Sequence, residues 1–108
     1  MGLSYGWYIG NAFIYKLRKS LIKTMTAIES IFEIKSAVLE LVRYTPLLKD
    51  AIVKKKVQEK YLKLIDRFFR ENESFVKPEQ WYSCLHDQDY FIALMDEVVE
   101  HYYLEVED

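Results

Sequence analysis

The chain has 108 residues, 51% of them apolar and 30% charged, with only three Gly and two Pro. This is the size of one domain and the composition of a globular rather than a disordered chain, and it lacks the turn residues that an all-β sandwich needs every eight to twelve positions. The formal net charge of −2 and a pI near 5.7 exclude a chain that holds nucleic acid by bulk positive charge.

Cys84 is the only cysteine. No internal disulfide can form, so stability must come from packing. A single thiol fits a reducing compartment, and a cytoplasmic location is expected. At the amino end an apolar, aromatic stretch precedes Lys16, Arg18 and Lys19, the reverse of the order in a secretory signal. No uncharged apolar run reaches the roughly 18 residues of a membrane span, so no transmembrane segment is expected. Gly2 alone matches a myristoylation site, because Gly6 stands where a hydroxyl side chain is required.

Residues 1–9 read as an aromatic segment that leads into the first helix. Tyr5, Trp7, Tyr8, Phe13 and Tyr15 form a dense aromatic group. Packing on the chain's own core is the first expectation for it. An anchor in an interface is the second, since Trp and Tyr give rigid contact area with a polar tip. Contact with a membrane surface, aided by the basic residues that follow, is the least expected. Gly2, Gly6 and Gly10 fall at four-residue spacing, and glycine's poor helix propensity favours a loop over a close-packed helix row.

From Gly10 to Tyr44 the residues Ile14, Leu17, Leu21, Ile28, Ile31, Val38 and Val42 follow a three-four spacing, with Thr24 and Lys35 in two slots of the same row. The period is that of a bundle seam. One helix would be about 50 Å long at 1.5 Å per residue. Two helices broken near Lys35-Ser36 fit the spacing equally. Thr45-Pro46 reads as an N-cap with proline at the first helical position. The second helix is therefore expected from Pro46 to about Asn72, with Val53, Val57, Tyr61, Leu64, Ile65 and Phe68 on its apolar face. Residues 71–74 read as a loop, and a short helix is expected from Pro78 to about Leu85. The last helix is expected to start at Asp87 or Asp89 and to bury Phe91, Leu94, Met95, Val98, Val99 and Tyr102. Residues 105–108 are expected to fray. Helices with short connections make antiparallel neighbours, so the expected fold is an all-α bundle of three to four main helices.

Chemistry finds little material here. Cys84-Leu85-His86 is the one local thiol–imidazole pair, but Asp87 and Asp89 beside it would raise the thiol's pKa when a nucleophile needs it lowered. A structural zinc site wants four Cys or His, and this chain has one Cys and two His. His86-Asp87 resembles half of a phosphohydrolase metal pair, without the further histidines that chemistry requires. No catalytic residue, metal or cofactor is expected.

Charge placement is the stronger signal. Residues 1–70 hold 14 Lys and Arg against six acids, and residues 71–108 hold Lys77 against 11 acids. On the second helix Lys49, Lys56, Lys60, Lys63, Arg67 and Arg70 fall within about 80° of arc at 100° per residue. Glu59 and Asp66 lie beside this row, spaced to pair with Lys63 and Arg70. On the last helix Asp89, Asp96, Glu97 and Glu100 form an acidic arc opposite the apolar one. Charged rows are most often solvated faces. Read functionally, they point to a non-enzymatic helical protein that binds another protein or a second copy of itself. Regulators, inhibitors, immunity proteins and assembly subunits share this appearance. A nucleic-acid-associated subunit using the basic row is the alternative, weakened by the acidity of the helices after Pro78. An enzyme without a recognisable site comes last.

Overall fold

A computed structural model describes the backbone of residues 2–107 and the side chains of residues 18–105. Its elements are α1 (Gly2–Tyr44), a 3₁₀ turn (Thr45–Leu47), α2 (Ala51–Glu71), α3 (Gln80–His86) and α4 (Gln88–Glu107). The fold is an all-α bundle, with no strand among the described residues.

Helix α1 is one continuous element, about 65 Å long at 1.5 Å per residue. No proline interrupts it before Pro46, and Lys35-Ser36 does not break it. Its backbone is already helical at Gly2, Gly6 and Gly10, which corrects the loop expected there. Pro46 does end the helix, but α2 does not start at it. Thr45 and Pro46 belong to the 3₁₀ turn, in which Leu48 N–H donates to the Thr45 carbonyl at 3.1 Å. The N-cap of α2 is Asp50, whose Oδ1 accepts from Ile52 N–H at 2.8 Å and from Val53 N–H at 3.3 Å. An Asp carboxylate both satisfies orphan amides and favours the positive helix end, which is why the start falls five residues later than the proline suggests.

Helices α2 and α4 both run antiparallel to α1 and therefore parallel to each other. Leu41 of α1 lies beside Lys54 and Val57 at the start of α2, and Ser30 and Glu33 meet its C-terminal part; Lys35 of α1 meets Asp96 of α4, and Leu21 and Met25 lie beside Tyr103. Lying between two neighbours, α1 buries a double-width stripe. Thr24, Ile28, Ile31 and Val38 are buried as the spacing predicts, and Ile34, on the side of Ser30, is fully buried as well. From α4, Phe91, Leu94, Met95, Val98 and Val99 are buried, and from α2, Tyr61, Ile65 and Phe68. Between α2 and α4 the space is filled by rings. Phe91 lies edge-on to Tyr61 at 6.0 Å and to Phe68 at 5.4 Å.

The two short links are capped from within. Asp87 ends α3 with its N–H on the Ser83 carbonyl and opens α4 by accepting from Tyr90 N–H at 3.1 Å. Asn72 closes α2 and is buried. Its N–H and Nδ2 both donate to the Phe68 carbonyl, at 3.0 and 2.9 Å, and its Oδ1 accepts from the Tyr102 hydroxyl at 2.7 Å. Asn72→Ala should therefore lower stability by about 1–3 kcal/mol, the range for stranding buried polar partners. In urea melts, Tyr102→Phe should add little in the Asn72→Ala background, and strictly additive losses would show the two side chains to be uncoupled.

Candidate interaction surfaces

The thiol–imidazole pair does not assemble into a site. Cys84 is fully buried while His86, two residues on, is exposed. Burial pushes the Cys84 thiol up to about 12, so at neutral pH it carries its proton. The Cys84 carbonyl accepts the Tyr61 hydroxyl at 2.5 Å, which fixes α3 on α2. Among the described residues no group of three or more His, Cys, Asp or Glu is placed to hold a metal ion.

The basic row of the sequence divides in the structure. Lys49 precedes α2 and is not on the helix, a consequence of the Asp50 cap. Arg67 turns to the α1–α2 seam. Its Nη1 donates to Glu33 Oε1 at 3.3 Å, its Nη2 to Ser30 Oγ at 3.0 Å and its Nε to Glu71 Oε1 at 3.3 Å. Ser30 Oγ in turn donates to Glu71 Oε1 at 2.6 Å. The bond to Glu33 first, and the neighbouring charges of Glu71 and Glu33 after it, raise the Arg67 pKa above its ordinary value against the opposing effect of desolvation. Arg67 is thus a structural clamp rather than a free member of the row. Lys56, Lys60, Lys63 and Arg70 are exposed, and among the described residues the ion pairs leave them unengaged. Asp66, spaced to pair with Arg70, instead accepts the Trp81 indole N–H at 2.7 Å.

The acidic arc divides likewise. Asp96 is held by Lys35 Nζ at 2.6 Å across the α1–α4 seam. Lys35 sits in the apolar row, where its stem covers core while its ammonium reaches outward. Glu97 lies 4.0 Å from His101 Nε2 on the same helix. Asp89 and Glu100 are exposed.

Two apolar concavities accompany these rows, and neither was foreseen from the sequence. One, of about 630 Å³, lies at the C-terminal end of α2 between Phe69, Arg70, Glu73, Ser74, Val76, Pro78 and Trp81. The other, of about 330 Å³, lies between α1 and α4 and includes Leu21, Met25, Phe32 and Tyr103. Leu21, which the spacing places in the buried row, is 40% exposed and instead joins Met25, Phe32 and Leu39 in a second, largely exposed apolar row on α1. That row had a signal in the sequence, since α1 carries more apolar residues than one seam uses. The cleft at Trp81 had none, because its walls come from α2, the loop and α3.

The aromatic group Tyr5, Trp7, Tyr8, Phe13 and Tyr15 falls outside the residues whose side chains are described. No helix among the described residues is long and apolar enough to cross a membrane. In comparisons with known proteins, no family model matches the chain, and neither a curated protein nor a solved structure matches it significantly.

Proposed function

We propose that this chain acts by binding an acidic protein surface through the outward row Lys56, Lys60, Lys63 and Arg70 of α2, without catalysing a reaction, and that it does so in the cytoplasm. The observation that carries this reading is the division of the row. On that one face Arg67 is engaged by Glu33, Ser30 and Glu71, while Lys56, Lys60, Lys63 and Arg70 are exposed without a carboxylate within 4.0 Å among the described residues. Exposed pairs contribute only about 0–1 kcal/mol to a fold, so internal stability gives no reason for four further cations in line. Between molecules the same row steers encounter and fixes orientation.

The test reverses Lys56, Lys60 and Lys63 to Glu and leaves Arg67 intact. The helical circular dichroism spectrum and Tm should hold, because all three side chains are exposed. Capture from the native cell, with lysine cross-linking, should give a protein partner joined to these lysines in the wild type and reduced at least about tenfold in the variant. A partner retained by the variant would show the row to be a solvated face. Loss of a nuclease-sensitive species alone would move the function to nucleic acid.

A further inference from the structure

We infer that the acidic surface is that of a second copy: the outer face of α4 near its C-terminal end, anchored by Leu104 in the cleft beside Trp81. This rests on the protein-binding reading above and names its partner. The basic row ends at Arg70, and Arg70 is also a wall of the cleft. Phe69, Val76, Pro78 and Trp81 give it apolar walls and Glu73 and Ser74 polar ones, so the site pairs a greasy hollow with the basic row that leads to it along α2. Among the lining residues Glu73 is the carboxylate and Arg70 the cation; around them Lys77 and Glu79 flank Pro78, and Asp66 is taken up by the Trp81 indole. Such a site selects an acidic helix face that carries one large apolar side chain, the helix-in-groove mode of recognition.

The chain offers that ligand itself. On α4 the residues Glu97, Glu100 and Leu104 follow a three-four spacing on the side away from the buried face, and Leu104 is 54% exposed. An exposed leucine among carboxylates has no role in its own core. The topology brings the two halves of the contact to one end of the molecule. Helices α2 and α4 are parallel, and their C-terminal ends are tied by the Asn72–Tyr102 hydrogen bond and by Phe75 stacked on His101. Cleft and Leu104 therefore share one end, and a two-fold axis there lets each copy place its α4 in the other's cleft. The contact closes as an isologous dimer, the commonest symmetric assembly, and does not run on as a filament.

Sedimentation of the full chain from 1 to 100 μM should show a dimer at low salt that weakens at least tenfold in 500 mM NaCl. Leu104→Ser should weaken it at least tenfold with the helical spectrum unchanged. Two charge swaps make the sharper test. One variant carries Lys63→Glu with Arg70→Glu, and the other carries Glu97→Lys with Glu100→Lys; the structural pairs of Arg67 and Asp96 stay intact. Each variant alone should be monomeric, and an equimolar mixture should restore the dimer, because the mixed pair has one native and one inverted contact. A wild type that stays monomeric at 100 μM overturns the second copy as partner. If the cross-linked capture through Lys56, Lys60 and Lys63 nevertheless holds, the binding reading stands and only this inference falls. A dimer indifferent to the swaps but broken by Phe32→Gln also overturns it, since association then uses the groove between α1 and α4.

Discussion

Phe91→Ala should destabilise the fold by about 3–5 kcal/mol, the usual range for truncating a fully buried phenylalanine. A domain of this size is stable by only about 5–15 kcal/mol, so this single change removes a large share of the total. The reason is local. Helices α2 and α4 meet chiefly through side chains, and the Phe91 ring touches both Tyr61 and Phe68 edge-on. Each helix is also held against α1, by the Arg67–Glu33 contact on one side and Lys35–Asp96 on the other. The walls around the missing ring therefore cannot close fully, and a cavity adds to the lost transfer energy. Thermal melts should show Tm lower by at least about 10 °C. Tyr82→Ala is the matched control: its ring is 66% exposed, and its removal should stay within about 0.5 kcal/mol. A loss below about 1.5 kcal/mol for Phe91→Ala would show that the bundle collapses into the gap.

The core of α4 was legible in the sequence, except that Tyr102, expected on the buried face, is half-buried with its hydroxyl on Asn72. Phe91, Leu94, Met95, Val98 and Val99 repeat at helical spacing on a helix with one buried face, so periodicity alone identifies them. On α1 it identified one seam and missed Ile34, because a helix flanked by two neighbours buries more than one seam's width. The start of α2 was misread where two local signals compete. Pro46 marks the end of α1, but the carboxylate of Asp50 caps the next helix. The charged rows were visible as rows. Their use was not, because whether Arg67 faces a partner or Glu33 depends on which helix lies alongside, and that is set by non-local packing. The same holds for Asp66, which is spaced for Arg70 yet taken by Trp81 from α3. The cleft beside Trp81 is non-local in the same sense. It exists only once the loop after Asn72 folds back along α2.

The fold should fail in alkali, and the sign follows from two buried groups. Burial holds the Cys84 thiol at about 12, against 9.0 for an ordinary thiol. Tyr61 is likewise held at about 12 against 10.0, by burial first and then by the charges of Cys84 and Asp87. Both groups must be neutral in the native state. Above pH 9 the unfolded chain gives up its thiol proton while the folded chain keeps it, so the unfolded state binds fewer protons and stability falls as pH rises. The stability is therefore complete below pH 9 and is lost progressively between 9 and 12, with Tyr61 joining from about pH 10. The decline is at most about 1.4 kcal/mol per pH unit for each group. Ionising Tyr61 also ends its donation to the Cys84 carbonyl, which loosens α3 from α2. Urea midpoints should thus be flat from pH 7 to 8.5 and drop steeply between pH 9.5 and 11. In Cys84→Ala the protein starts less stable, because a small cavity replaces the sulfur. Its midpoint should nevertheless hold to about pH 10 before it falls, because the groups that remain are Tyr61 and Tyr102, both raised above the ordinary tyrosine value by burial first. A wild-type midpoint unchanged from pH 8 to 11 would mean that neither proton is held by the fold. An equally early decline in Cys84→Ala would place the alkaline sensitivity elsewhere.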